Sequence, residues 1–338
     1  MLGEINRRIA VIGAGSWGTS LAHLLGLKGY AVHLWARRQE LVDQIRATRE
    51  NVRYLPGVKL PENVILTSSF KEAVDEIEIF LLVLPSHGVR AVMTNLAPYL
   101  PQRSLIVIAS KGIENGTLMM MSEVLESVLS QFHREFQLGV MSGPSFAQEV
   151  SAQLPTAVVV ASSDEHTAKE IQSLLMAPYF RVYTSTDVTG VQLGGALKNV
   201  IAIAAGIVDG CGLGYNTRTA LITRGLAEIS RLGLAMGANP LTFSGLAGMG
   251  DLVLTCTGHL SRNRTVGLKI AQGMKLDEIL SGTTMVAEGV NTTKAAVELG
   301  KKYRVELPIV QQVFEVLFNG KDPRVAVEEL MSRDPKSE

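Results

Sequence analysis

Cysteine is nearly absent. The 338 residues hold only Cys211 and Cys256, too few for a disulfide framework, and with the six histidines they make no CxxC or HExxH spacing. No structural metal is expected. An excess of one charge is missing as well: Lys+Arg 32 against Asp+Glu 32 leaves a formal net charge of +0, whereas duplex binding draws on a basic surplus or stripe. Nucleic acid is therefore not expected as the main partner. Long apolar runs are missing too, since residues 77–84, broken at Glu78, and 200–208 stop well short of the ~20 residues that a membrane span needs. The N-terminal sequence MLGEINRRIAVIGAG puts an acid ahead of a short apolar run and shows no A-x-A-like cleavage site. A secretory leader is not expected, and the cytoplasm is the expected location.

What is present is the composition of an ordinary globular protein, 46% hydrophobic, 19% charged and 5% aromatic, which argues against disorder. At ~100–200 residues per domain the length predicts two domains. From Arg8 a β-rich run (9–12), a glycine turn, a helical stretch (17–28) and a second β-rich run (31–36) make a βαβ unit. Further strand-like runs at 77–84, 104–109, 137–141 and 156–161 alternate with helical stretches near 88–97, 118–132 and 165–176. Such alternation predicts a mostly parallel, doubly wound sheet. After a last run at 181–184 the pattern changes to helical windows at 190–209, 218–232, 265–272, 291–303, 309–319 and 323–331. The expected fold is α/β, with a doubly wound Rossmann-type domain over 1–188 and an all-helical substrate-binding and catalytic domain over 189–338.

Gly13, Gly15 and Gly18 form G-A-G-S-W-G directly after a strand and at the start of a helix. In that context the first glycine permits the tight turn, the second admits a pyrophosphate to the backbone, and the third lets the helix pack closely. NAD-selective sites place an acid at the end of the second strand, on the ribose 2′-hydroxyl. Here no Asp or Glu occurs between Gly18 and Glu40, and Arg37 and Arg38 stand at that place. Two guanidiniums can pair with a 2′-phosphate through forked hydrogen bonds, which predicts a preference for NADP(H). The other reading is two solvated surface arginines.

Lys111, in LIVIASKGIE (105–114), and Gly143 and Ser145, in MSGPSFAQE (141–149), follow predicted strands, where open α/β sheets bind ligands. Either segment taken singly is equally a plain strand-to-helix turn. Lys198 lies among apolar and small residues in GVQLGGALKNVIAI (190–203), a costly place for a lysine without a task or a partner; the alternative is a side chain snorkelling to solvent. Gly194 and Gly195, one turn earlier on the same face, would leave room for a ligand beside the ammonium. GLAGMGD (245–251) reads as a flexible turn ending in the Asp251 carboxylate. In LSRNR (260–264) Ser261 reads as an N-cap, so that backbone amides and the Arg262 guanidinium would converge on a seat for a phosphate. A capped surface helix with a solvated arginine is the competing reading.

Taken in order, GAGSWGTSLA, LPSHGVR, IASKGIE, SGPSFAQEV, GGALKNVIAIAAGIVDG, GLAGMGDLVLTCTGHLSRNR and VAEGV closely resemble bacterial-type NAD(P)-dependent glycerol-3-phosphate dehydrogenase over almost the whole chain. The resemblance implies reduction of dihydroxyacetone phosphate to sn-glycerol 3-phosphate, a glycerophospholipid precursor, by a cytoplasmic homodimer that accepts NADP(H) and NAD(H). It puts Ser16, Trp17, Arg37, Arg38, Lys111, Ala147, Arg262, Val286 and Glu288 on the cofactor, beside the glycines of the turn. It puts Lys111, Gly143, Ser145, Lys198, Asp251, Ser261, Arg262 and Asn263 on the substrate, with Lys198 as the proton donor and acceptor. Asp251 would either orient Lys198 or hold a substrate hydroxyl. The chain departs from the family pattern at Gln192, where similar proteins carry Glu, and the TGH stretch at 257–259 also varies; both bear on substrate fit. Two rival functions stand beside it: a dehydrogenase of 2-oxo or 3-oxo acids with Lys198 as donor, and a nicotinamide-nucleotide sensor without turnover, for which Lys198 and Asp251 would be unnecessary.

Overall fold

The computed structural model describes residues 7–282 and 286–335. The chain forms two compact units, Met1–Lys111 with Met121–Val191, and Gly112–Met120 with Gln192–Glu338. The first holds one eight-stranded sheet, made of β1 (Arg8–Ile12), β2 (Ala31–Trp35), β3 (Val64–Thr67), β4 (Ile79–Leu82), β5 (Arg103–Ile108), β6 (Glu135–Ser142), β7 (Thr156–Ala161) and β8 (Phe180–Ser185). Their spatial order is β3-β2-β1-β4-β5-β6-β7-β8. Strands covered on both faces are apolar throughout rather than alternating; in β1 every residue after Arg8 is buried, and in β4 every residue is.

All neighbouring strands are parallel except β6 and β7. The reversal has a geometric cause. Between them lies only the five-residue helix Ala147–Ser151, which rises about 7.5 Å, too little to carry the chain back along the eight-residue β6. β3 and the helix Gln39–Thr48 are additions to the sequence reading. VILT is a four-residue edge strand with Ile65 half exposed, too short to raise a periodic signal.

Among its described residues the second unit contains helices and no strand. Its centre is the helix Val188–Gly210, within whose first turn the division between the units falls. This corrects the expectation of short apolar runs: Lys198, Asn199 and Asp209 interrupt the apolar sequence but not the helix, which is 23 residues long, and its most apolar stretch has a mean hydropathy of 1.6. That stretch is 94% buried inside the protein, as a core helix is. Glycines let other helices approach it backbone to backbone. A Cβ at Gly206 would lie 2.0 Å from the Arg264 carbonyl oxygen, and one at Gly267 would lie 1.9 Å from that of Ile203. This contact with the helix Arg262–Ala271 offsets the roughly 1 kcal/mol that each helical glycine costs. The segment Gly112–Met120 also belongs to this unit, because Ile113 and Met120 bridge each other and are buried in its apolar core. The helical stretch expected near 118–132 accordingly starts only at Met121.

The helix Pro308–Phe318 has no side-chain cap of its own. Glu228, 3% exposed on the helix Gly214–Ala235, supplies one from a distance: its carboxyl oxygens accept from the Ile309 amide at 2.8 Å and the Val310 amide at 3.3 Å. Burial raises its pKa from 4.5 to about 7, against the opposing pull of those amides, Arg231 and Arg333. An acid whose folded pKa is raised favours the folded state less as pH rises from the unfolded to the folded value. Wild-type stability should therefore fall by up to about 3 kcal/mol between pH 4.5 and pH 7 on account of this group and then level off. In Glu228→Gln that component should vanish, which urea unfolding across the pH range would reveal as the difference between the two proteins.

Candidate active site

In the first unit the chemistry-bearing residues gather where the parallel strands end. Gly13 adopts φ +124°, and a Cβ there would lie 2.3 Å from the Val83 carbonyl oxygen. At Gly18 a Cβ would lie 1.8 Å from the Gly13 carbonyl oxygen, so the helix Ser16–Leu27 can start this close to the turn only with glycine. Around Gly15 no atom lies within 4 Å of the Cβ position. The helix has no side-chain cap there, so the turn offers an approachable backbone and the amides of Ser16 and Trp17 to an anion. These features fit the pyrophosphate of a dinucleotide.

After β2 come the exposed Arg37 and the half-buried Arg38, whose Nη2 donates to Tyr54 Oη at 2.8 Å. After β5 and β6, Lys111 Nζ and Ser145 Oγ both donate to the Gly143 carbonyl oxygen, at 3.3 and 3.0 Å. Ala147 accepts from Ser20 Oγ at 3.1 Å, which joins its short helix to the helix Ser16–Leu27. At the opposite edge of the sheet, an open cavity of about 1230 Å³ is lined by residues at the starts of β1, β4, β5 and β6. Ion pairs lie within it, Arg8 with Glu76 at 2.6 Å and Arg103 with Glu135 at 3.0 Å, and none of the predicted site residues lines it.

In the second unit Lys198 is 7% exposed and does not snorkel. Its Nζ donates to Asp251 Oδ1 at 2.5 Å and to Thr255 Oγ1 at 2.8 Å, while the Thr255 hydroxyl donates to the Asp251 carbonyl oxygen at 2.6 Å. Asp251 is 1% exposed. Two expectations change here. The 245–251 segment is helical rather than a flexible turn: Leu246–Gly250 is a wide π-helical turn that runs straight into the helix Asp251–Thr257. The space at Gly194 is filled by protein, since a Cβ there would lie 2.5 Å from the Ala247 carbonyl oxygen. That close approach sets the start of the Asp251 helix against the lysine's helix, which is how a pair 53 residues apart comes to meet.

Ser261 caps the helix Arg262–Ala271, its Oγ accepting from the Arg264 amide at 3.3 Å. Asn263 Nδ2 donates to Asn199 Oδ1 at 2.8 Å, and Asn263 Oδ1 accepts from the Gly289 amide at 2.9 Å. Arg262 remains exposed, with Nη1 3.4 Å from the Val286 carbonyl oxygen. Surrounding protein lowers its guanidinium from the ordinary value and Glu288 raises it; the group stays charged. Cys256, next to Thr255, is no nucleophile: burial pushes its thiol up to about 12, against the pull of Lys198.

Family models decide between the readings of this constellation. One for the N-terminus of NAD-dependent glycerol-3-phosphate dehydrogenase matches residues 8–168, and one for its C-terminus matches residues 187–328. The chain belongs to the NAD-dependent glycerol-3-phosphate dehydrogenase family. A relative from Geobacter metallireducens named glycerol-3-phosphate dehydrogenase (NAD(P)+) is 57% identical over 334 residues, which cover 99% of each chain. Another of that name from Desulfotalea psychrophila is 51% identical over the full length of both. The crystal structure of glycerol-3-phosphate dehydrogenase from Coxiella burnetii matches with a TM-score of 0.93 at 40% identity, covering 97% of this chain and 100% of that one. A ketopantoate reductase from Ralstonia eutropha, 15% identical with a TM-score of 0.59, shares the fold alone.

Within this glycerol-3-phosphate dehydrogenase family member the structure adds residues that the sequence reading left out. Thr255 lies one helical turn after Asp251 and touches Lys198, and Asn199 follows Lys198 and holds Asn263. A threonine four residues beyond a site carboxylate on one helix face was the available signal. Asn51 and Tyr54 gave none, because they lie in the loop after the helix Gln39–Thr48, without a motif.

Proposed function

We infer that the chain reduces dihydroxyacetone phosphate to sn-glycerol 3-phosphate with NAD(P)H, the supply reaction for the glycerol backbone of glycerophospholipids. The observation that carries this reading is the buried Lys198 held by Asp251 and Thr255 in a chain of this family. Gly13, Gly15, Gly18, Ser16 and Trp17 would hold the cofactor pyrophosphate, and Arg37 and Arg38 its ribose end. NADPH is then the preferred form and NADH is also accepted, because two guanidiniums attract a 2′-phosphate that NADH lacks.

The nicotinamide, when bound, supplies the hydride to the substrate's C2 carbonyl. Lys198 holds the proton at Nζ that the developing alkoxide takes. Asp251 and Thr255 accept two of the ammonium's three N–H groups, and this fixes its orientation. On this reading Asp251 orients Lys198, a role that its hydrogen bond to the ammonium supports. Ser261, Arg262 and Asn263 seat the substrate phosphate at the start of their helix, where first-turn amides and a guanidinium favour a dianion. The protein acts in the cytoplasm as a homodimer, a reading supported by the family resemblance; sedimentation at twice 36.4 kDa would check the dimer.

The test is the initial rate of NADPH oxidation with dihydroxyacetone phosphate, unphosphorylated dihydroxyacetone and a panel of 2-oxo acids. Turnover confined to the phosphorylated ketone is expected. Arg262→Ala should cost on the order of 2–5 kcal/mol of kcat/KM for that ketone and erode the preference for the phosphate. Turnover of a 2-oxo acid instead would overturn the substrate assignment.

A further inference from the structure

We propose that Asn51 is a positioning residue of the cofactor site: through Tyr54 it ties the glycine turn to Arg38, so that the pyrophosphate seat and the ribose-end guanidinium are held as one piece. The proposal rests on the reading that this unit binds NAD(P)H.

Asn51 is 0% exposed although it sits in a loop. Its side chain spends both donors and its acceptor on the site. Nδ2 donates to the Ala14 carbonyl oxygen at 3.0 Å and to Thr19 Oγ1 at 2.8 Å, and Oδ1 accepts from the Tyr54 amide at 3.3 Å. Tyr54 then closes the circuit at both ends: its carbonyl oxygen accepts from Ser16 Oγ at 2.6 Å, and its hydroxyl accepts from Arg38 Nη2 at 2.8 Å. The Arg53 guanidinium lies over the Tyr54 ring, 5.5 Å from its centroid.

Ala14 stands between Gly13 and the open backbone of Gly15. A carbonyl oxygen turned toward a pyrophosphate would repel it, and a donor that pins this one inward leaves the amides of the turn for the anion. Thr19, also fully buried, fixes the first turn of the same helix. Tyr54, by contrast, acts on Arg38 alone at its hydroxyl. Removing the Asn51 side chain should therefore weaken every dinucleotide, whereas removing the Tyr54 hydroxyl should weaken only the one with a 2′-phosphate.

The experiment is calorimetric titration of NADPH and NADH into the full-length wild type, Asn51→Ala and Tyr54→Phe, with thermal midpoints and the split between KM and kcat recorded for each. Asn51→Ala should raise both Kd values by about tenfold, with kcat at saturation unchanged. Tyr54→Phe should raise the NADPH Kd by about fivefold and leave NADH unchanged. A folded Asn51→Ala with a lower thermal midpoint but wild-type Kd values would mean a merely structural role and overturn the proposal. If Asn51→Ala does not fold, Asn51→Ser, whose short hydroxyl cannot span the contacts to Ala14, Thr19 and Tyr54, takes its place, with the same outcomes for and against; in Tyr54→Phe, equal loss for both cofactors, or none, overturns the coupling to Arg38. A wild type that binds neither dinucleotide overturns the underlying reading as well, and so is told apart from failure of the proposal alone.

Discussion

Lys198→Ala is expected to lower kcat for dihydroxyacetone phosphate reduction by about a hundred- to ten-thousandfold, the usual worth of a positioned proton donor. NADPH affinity should stay at the wild-type value, because the glycine turn, Arg37 and Arg38, which hold the pyrophosphate and the ribose end on this reading, belong to the other compact unit. Lys198→Arg should not rescue turnover: a guanidinium keeps its proton across the working pH range and would not fit the one-point contacts to Asp251 and Thr255. Stopped-flow rates with saturating NADPH and separate binding titrations give the two quantities. A variant that keeps a tenth or more of wild-type kcat would remove Lys198 from its role as donor.

Asp251→Ala should have the largest effect on stability. The carboxylate is 1% exposed and its partner ammonium 7% exposed, so deleting one leaves a buried charge uncompensated, at a cost of about 3–5 kcal/mol. Activity should fall as well, since the group that directs the ammonium is gone. The double variant Lys198→Met with Asp251→Leu separates the two effects: two apolar side chains of similar volume satisfy each other, so most of the lost stability should return while turnover stays absent. Urea unfolding of the single and double variants is the measurement. If the single variant loses no more than a surface pair would, about 1 kcal/mol, the pair carries little of the unit's stability.

Legibility differed from element to element. The glycine turn was readable because its requirement is local: tight turn, open backbone and helix start fall within six consecutive residues, and the Cβ positions at Gly13, Gly15 and Gly18 behave as that spacing demands. The buried strands and most helices were readable because burial on both faces, or on one stripe, writes itself into runs and periods. β3 and the helix Asp251–Thr257 were not, the first being four residues long and the second lying behind a glycine-rich stretch that resembles a loop. The excursion of Gly112–Met120 into the second unit left no mark, since a local pattern does not say which core an apolar residue enters.

The sequence by itself determined that a dinucleotide turn opens the chain, that the first part alternates strand with helix, that Ser261 caps a helix, and that Lys198 lies where a lysine needs a reason. Only the tertiary structure decided what that reason is. The Lys198 to Asp251 bond joins residues 53 apart, the Asn199 to Asn263 bond residues 64 apart, and the Asn51 to Ala14 bond residues 37 apart. The first two depend on helix backbones being brought within a few ångströms, at Gly194 against Ala247 and at Gly206 against Arg264, and the third on a loop folding back onto the glycine turn. That closeness is a property of packed helices and leaves no period, spacing or composition for a linear reading to detect.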